Sequence, residues 1–129
     1  VHYVLDNLSK KFSLGIIANQ SGNLSKRLQD WKIDKYFSTI ISSCDYGFSK
    51  PDERLFLAAL EKSNCAPNNA VMVGDRLDND IFPANKLGFL TVRIKQGFAK
   101  QQIAPSTIYE PTYEINNLTE LLELPFILK

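Results

Sequence analysis

Histidine, cysteine and long apolar runs are scarce in this sequence of 129 residues. The single histidine, His2, and the two cysteines, Cys44 and Cys65, have no spacing from which a zinc site could be built. The two cysteines could pair with each other. We interpret them instead as reduced thiols, which are typical of a cytoplasmic protein.

Membrane spans and charge runs are also missing. No apolar run approaches the roughly 18 residues that span a bilayer, so we expect no membrane partner. The first eight residues lack a basic stretch followed by a continuous apolar one and do not form a signal peptide. The 15 basic and 14 acidic residues are scattered along the chain, and we expect no nucleic-acid partner.

What is present is an alternation of helical and extended patterns in a chain that is 44% hydrophobic, which suits one globular domain over residues 1–129. Short apolar runs predict strands, and apolar residues at helical spacing predict helices between them. The predicted strands are residues 14–18, 39–42, 70–73 and 89–94; helices are predicted over 1–12, along Leu24, Leu28 and Trp31, from Pro51, along Ile81, Ala84 and Leu87, and after Asn117.

This order of elements predicts an α/β fold. Strands separated by helices of 10–15 residues form βαβ units, hence a parallel sheet with helices on both faces in a three-layer, Rossmann-like arrangement. Residues 95–111 are polar and are predicted to form a long surface loop. Gly88 is suited to ending the helix before it, and Asn117 with Glu120 resembles a capping box.

The strongest candidate site follows the third predicted strand. In open parallel sheets, ligands bind beyond the carboxyl ends of the strands. Asp75 comes directly after the apolar run and Gly74, and Asp80 follows five residues later. Two carboxylates so placed suit Mg²⁺, which prefers oxygen ligands and takes few of them from protein. For Asp80, capping of a helix is an equally good interpretation.

Two further polar segments lie after the first and second predicted strands. Lys50 precedes Pro51, which keeps it out of the helical region and at the entrance of the next helix, where positive charge would attract phosphate. Residues 18–22 follow the first strand, and a backbone N–H or the Ser21 hydroxyl could cradle phosphate oxygens there. Each feature alone is also typical of an ordinary surface lysine or an ordinary turn.

Taken in chain order, these segments resemble motifs two, three and four of the haloacid dehalogenase superfamily. The three are Leu-Gly-Ile-Ile-Ala-Asn-Gln-Ser, Gly-Phe-Ser-Lys-Pro-Asp and Val-Gly-Asp-Arg-Leu-Asp-Asn-Asp-Ile. Ala18 to Lys50 spans 32 residues and Lys50 to Asp75 spans 25, which is similar to the spacing in that family.

The resemblance implies a mechanism and a set of roles. In the family, a motif-one aspartate attacks phosphorus, and water hydrolyses the resulting aspartyl-phosphate. Here Asp75 would bind Mg²⁺ directly, Asp80 would be an outer acid of the metal site, and Lys50 would act in catalysis by bracing phosphate. Asn19 and Ser21 would help bind phosphate. The implied substrate is a small phosphorylated metabolite.

The sequence departs from the family pattern at two places. The residue before Asn19 is Ala18, where the family has Ser or Thr, so one hydroxyl donor is missing. No Asp-x-Asp-x-Thr/Ser sequence occurs, and residues 4–8 only superficially resemble one. The chain is therefore interpreted as a core fragment that lacks its first strand and its nucleophile, and we expect it to be inactive alone.

A missing first strand would leave a gap between the strands of motifs two and four, with unpaired backbone groups. We expect direct pairing of these strands, a complementing partner chain, or self-association through the gap. The alternative function is a non-catalytic domain that binds metal or phosphate, or that completes a partner chain. A nucleotide-binding module is disfavoured because the chain lacks its glycine-rich turns. A receiver domain is disfavoured because Lys50 precedes Asp75.

Overall fold

The computed structural model describes residues 2–19, 24–97 and 101–128. The chain divides into two compact units, Val1–Asn64 and Cys65–Lys129. Every described strand pairing in both units is parallel, which confirms the predicted α/β class.

The described residues of the first unit form four helices and a two-stranded parallel sheet. In chain order its elements are α1 (His2–Ser9), β1 (Leu14–Ala18), α2 (Leu24–Asp30), a 3₁₀ turn (Asp34–Tyr36), β2 (Phe37–Ser42), α3 (Ser43–Tyr46) and α4 (Glu53–Ser63). Helical spacing places Val4 and Leu8 on one buried face of α1. The last residues of the two strands, Ala18 and Ser42, are register partners, so both strands end at the same edge.

The second unit is a three-stranded parallel sheet with short helical segments. Its elements are a 3₁₀ turn (Pro67–Asn69), β3 (Val71–Gly74), a π-helix (Leu77–Ile81), α5 (Phe82–Leu87), β4 (Leu90–Ile94), a 3₁₀ turn (Thr107–Tyr109), β5 (Tyr113–Ile115), a 3₁₀ helix (Leu118–Glu123) and α6 (Pro125–Leu128). The strand order is β3-β4-β5. Gly74, Arg93 and Glu114 lie side by side across it.

Continuous apolar runs are typical of strands buried within parallel sheets, but the first and third strands are only partly buried. No residue of β1 or β3 is fully buried, and Val71 is 40% exposed. The reason in the second unit is position, since β3 is an edge strand whereas β4, with four of its five residues buried, has a neighbour on each side. Among the described residues, β1 pairs with β2 alone and β3 with β4 alone.

Several local predictions are confirmed, and some short elements were missed. Gly88 ends α5 with φ of 94°, a conformation that glycine adopts without strain. Asn117 and Glu120 form the predicted capping box, here on a 3₁₀ helix. Pro51 was placed too far inside its helix, because α4 begins at Glu53 with Asp52 as its N-cap. The π-helix, α3, β5 and α6 were not predicted.

Cys44 and Cys65 are both free thiols, as interpreted from the sequence. Within the described ranges, no helix combines the length and apolar character that a bilayer crossing requires.

Candidate metal and phosphate sites

The acidic segment leaves β3 at Gly74 and continues into the π-helix. Asp75, the first residue after the strand, is half-buried, and Asp80, inside the π-helix, is only 4% exposed. A backbone N–H, that of Arg76, donates to Asp80 Oδ2 at 3.2 Å. The carboxyl group of Asp80 is therefore held close to the start of the segment rather than turned out to solvent.

Gly74 makes this arrangement possible. A Cβ atom at this position would lie 2.4 Å from Asp80 Cβ and 2.6 Å from both Asp80 Cγ and Oδ2. Such distances are far inside van der Waals contact, and the neighbouring atoms belong to a short side chain. Only glycine therefore fits beneath Asp80 without displacing its carboxylate.

Asp78 belongs to the same segment but is committed to other contacts. Arg76 donates from Nε to Asp78 Oδ1 at 3.1 Å and from Nη2 to Oδ2 at 2.7 Å, a two-point ion pair. This pairing with Arg76 lowers the pKa of Asp78, and a hydrogen bond from Gln102 lowers it further. The pKa of Arg76 is raised mainly by Asp78, with smaller contributions from the charges of Asp80 and Asp75.

The chemistry of the segment suits a hard cation. Asp75 and Asp80 supply carboxylate oxygens, whereas Asp78 is neutralised by Arg76. Among residues 2–19, 24–97 and 101–128, no three or more His, Cys, Asp or Glu side chains cluster so as to hold a metal ion. Structural zinc needs about four such ligands. Mg²⁺ commonly uses one or two carboxylates and takes its remaining ligands from water and substrate phosphate, so a pair of acids fits it.

In the first unit, the structure brings together two of the predicted phosphate-binding residues. Asn19 lies directly after β1, and its side chain clamps the backbone of Lys50: Lys50 N donates to Asn19 Oδ1 at 2.7 Å, and Asn19 Nδ2 donates to Lys50 O at 3.2 Å. The Lys50–Pro51 peptide bond is cis. The amide of Asn19 thus positions Lys50, a role that the sequence did not indicate.

The helix entrance near Lys50 differs from the expected one. Asp52 caps α4, and its Oδ1 accepts a hydrogen bond from Arg54 N at 2.9 Å. The Arg54 side chain pairs with the same carboxylate, and this contact lowers the pKa of Asp52 to about 2. Because a carboxylate already occupies the positive end of α4, the proposed attraction of phosphate depends on Lys50 rather than on the helix dipole.

Ser21, the remaining predicted phosphate ligand, lies outside the described residues. Ala18, the departure from the family pattern, is the last residue of β1 and the register partner of Ser42. Ser42 is 4% exposed, and its hydroxyl accepts a hydrogen bond from Cys44 N at 3.3 Å.

Sequence reasoning missed two polar residues of the second unit. Arg93 lies inside the apolar run of β4, is 4% exposed, and pairs through Nη1 with Glu114 Oε2 at 3.1 Å. Gln102 lies in the loop that was predicted only as polar surface, and it contacts the acidic segment. A charged residue within an apolar strand was a usable signal for Arg93, whereas nothing local distinguishes Gln102 from its neighbours.

Parallel sheets with helices packed on them define an α/β protein of the Rossmann-like class, and the acidic segment lies at the carboxyl end of a strand, where such folds bind ligands. The family described as haloacid dehalogenase-like hydrolase matches residues 1–94. The chain belongs to this family, which confirms the resemblance drawn from its motifs.

Individual relatives support the same assignment. Over 92 residues the chain is 36% identical to the glyceraldehyde 3-phosphate phosphatase of Methanopyrus kandleri, covering 71% of this chain and 40% of that protein. It is 28% identical over 126 residues to the pyrophosphatase PpaX of Bacillus velezensis, covering 96% of this chain and 57% of that protein. The chain thus spans about half the length, or less, of these two curated relatives.

A solved structure gives the same fold. The magnesium-bound crystal structure of the putative HAD-hydrolase YfnB from Bacillus subtilis superposes with a TM-score of 0.83 at 28% identity. The match covers 95% of this chain and 53% of that one. The predicted fold of a haloacid dehalogenase core is confirmed by this likeness.

Proposed function

We propose that this chain is a core fragment of a magnesium-dependent phosphomonoesterase, which acts on a small phosphorylated metabolite through an aspartyl-phosphate, and that the chain alone is inactive. The observation that carries the proposal is the acidic segment, in which Gly74 leaves room for the buried Asp80 directly after the strand that delivers Asp75. The phosphatase names of two relatives and the magnesium bound by YfnB support it.

The residues of the acidic segment have separate roles in this proposal. Asp75, half-buried at the strand end, would bind Mg²⁺ directly, and Asp80 would act as the outer acid of the same site. Bound Mg²⁺ would offset the negative charge of the phosphate during transfer. Arg76 holds Asp78 away from this role by pairing with both of its oxygens.

The phosphate itself would be bound by residues of the first unit. Lys50 would contribute a positive charge, and the Asn19 clamp fixes the backbone from which that side chain extends. Because the side-chain amide of Asn19 is engaged in the clamp, its backbone N–H is the group proposed for phosphate. Ser21 is proposed as a hydroxyl donor that compensates for Ala18.

The attacking group is not supplied by these 129 residues, which contain no Asp-x-Asp-x-Thr/Ser sequence. In the proposed reaction, an oxygen of the motif-one aspartate bonds to phosphorus as the P–O bond to the alcohol breaks, and a second aspartate two residues further along that motif gives the leaving alcohol its proton. Water then cleaves the aspartyl-phosphate and releases inorganic phosphate. We propose that this attacking aspartate comes from outside these 129 residues. We also propose that the protein is cytoplasmic.

The test is hydrolysis of p-nitrophenyl phosphate by the chain, with Mg²⁺ and with EDTA, beside the Asp75→Asn variant. We expect no turnover above the variant from the chain alone. We expect Mg²⁺-dependent turnover, lost in Asp75→Asn, from a form that also carries the nucleophile motif. Turnover by that form that persists in Asp75→Asn would contradict the proposal. Mg²⁺ binding without turnover by that form would favour the non-catalytic alternative.

A further inference from the structure

Between its two ends, the acidic segment is held by a residue far along the chain. Asp80 is fixed beneath Arg76 N and against Gly74, but this leaves the orientation of Leu77 and Asp78 to other contacts. Gln102 supplies them: its Oε1 accepts from Leu77 N at 2.7 Å, and its Nε2 donates to Asp78 Oδ1 at 3.1 Å.

The orientation of the Gln102 amide is determined by its two partners. A backbone N–H can only donate a hydrogen bond, and an ionised carboxylate can only accept one. The amide oxygen must therefore face Leu77 and the amide nitrogen must face Asp78. One side chain consequently accepts the hydrogen bond of the first N–H of the π-helix and donates a hydrogen bond to the carboxylate of the next residue.

Gln102 is itself tied to the sheet beside the segment that it holds. Its backbone carbonyl accepts a hydrogen bond from Arg93 Nη2 at 2.9 Å. Arg93 is buried, pairs with Glu114, and lies in register with Gly74, the residue from which the acidic segment departs. The loop that braces the segment is thus anchored by a buried arginine of β4, the strand paired with the one that carries the segment.

We propose that Gln102 is a positioning residue of the cation site. It fixes the backbone at Leu77 and, together with Arg76, holds the carboxylate of Asp78 away from the metal, so that Asp75 and Asp80 remain the pair presented to Mg²⁺. This inference rests on the proposed function. It adds to the site a residue that lies in none of the three family motifs. Removal of both polar contacts of Gln102 should weaken Mg²⁺ binding without unfolding the chain.

The test is titration of the full chain with Mg²⁺, followed through the backbone NMR signals of residues 75–80. Gln102→Met keeps the length of the side chain and removes both hydrogen bonds, and we expect it to raise the Kd for Mg²⁺ about tenfold. Gln101→Met is the matched control at the adjacent exposed glutamine, and its Kd should equal that of the wild type. Hydrogen exchange of the Leu77 amide should accelerate in Gln102→Met alone.

A purely structural role is tested by Asn117→Ala, which removes a helix cap in the same unit and should lower stability while leaving the Kd unchanged. If Gln102→Met shifts the Kd no more than Gln101→Met or Asn117→Ala does, the inference is overturned and the proposed function stands. If the wild-type chain does not bind Mg²⁺, or if Asp75→Asn binds it equally well, the proposed metal site is wrong. The inference is then wrong as well.

Discussion

Gly74 shows how a single residue determines the geometry of the acidic segment. The Asp80 side chain fills the space beside Gly74, and a Cβ atom at Gly74 would overlap it. Gly15 provides a useful contrast, because it also lies in a strand, and a Cβ would approach Thr39 O to 3.2 Å only. The two glycines therefore differ in how much space their neighbours leave.

We predict that Gly74→Ala destabilises the protein by about 1–3 kcal/mol, because the added methyl group overpacks a filled site. It should also weaken Mg²⁺ binding by displacing Asp80. Urea denaturation and Mg²⁺ titration measure the two effects. Gly15→Ala is the control and should cost less, since a small shift of a strand relieves its contact. Equal costs at the two positions, with Mg²⁺ affinity retained in Gly74→Ala, would contradict this account of the segment.

The sequence pointed to some individual residues and not to others. Asp75 was predicted as a metal ligand because a carboxylate directly after an apolar strand has few structural reasons to be there, and its role stays a prediction. Arg93 and Gln102 were missed because their contacts join residues far apart in sequence, such as Gln102 and Leu77. Such pairs depend on the register of the sheet and the course of a loop, and neither leaves a local pattern.

The start of α4 is the element whose behaviour depends most clearly on pH. Pairing with Arg54 lowers the pKa of Asp52 from 3.8 to about 2 in the folded chain. A lowered folded pKa means that the contact stabilises the protein fully above the unfolded value and loses its effect as pH falls toward the folded one. The window of this contribution is therefore about pH 4 to pH 2.

We predict that Asp52→Asn flattens the loss of stability across that window, because asparagine still caps a helix but does not titrate. Urea midpoints of both proteins, measured from pH 5 to pH 2, check this. The wild type should lose its advantage over the variant as the pH falls. If the two curves remain parallel, Asp52 does not carry the predicted proton linkage.

The capping box at the end of the second unit gives a second prediction for a single element. Asn117 Oδ1 accepts from Glu120 N at 3.2 Å, and Glu120 Oε2 accepts from Asn117 N at 3.2 Å. Asn117→Ala should therefore destabilise the protein by about 1 kcal/mol in thermal or urea unfolding. Asn116→Ala, at the exposed neighbouring asparagine, is the control. A comparable loss in both variants would show that the side-chain cap contributes little.

Elements were predictable to the extent that they carry a repeating pattern. The apolar runs of β1 and β4 and the helical faces of α1 and α4 gave correct types with small errors at the ends. β5 was missed because three residues are too few to show alternation. The predicted start of α4 at Pro51 was wrong, because proline in the turn before a helix and proline in its first turn look alike in sequence.

For the molecule as a whole, the family was predictable from three motifs in the right order, and the family match over residues 1–94 confirms it. The reaction is harder to predict from these residues, because the chain covers only 40% of the Methanopyrus kandleri phosphatase and contains no nucleophile motif. Metal binding is the part of the proposed function that these residues can support by themselves.

Direct measurement of Mg²⁺ binding, by isothermal titration calorimetry on the whole chain, tests the central claim. Asp75→Asn removes the charge of the proposed direct ligand, and Glu123→Gln removes one charge from an exposed position of the same unit as a control. The account predicts binding by the wild type and by Glu123→Gln, and none by Asp75→Asn. Equal binding by all three, or no binding by the wild type, would contradict the assignment of the acidic segment as a magnesium site.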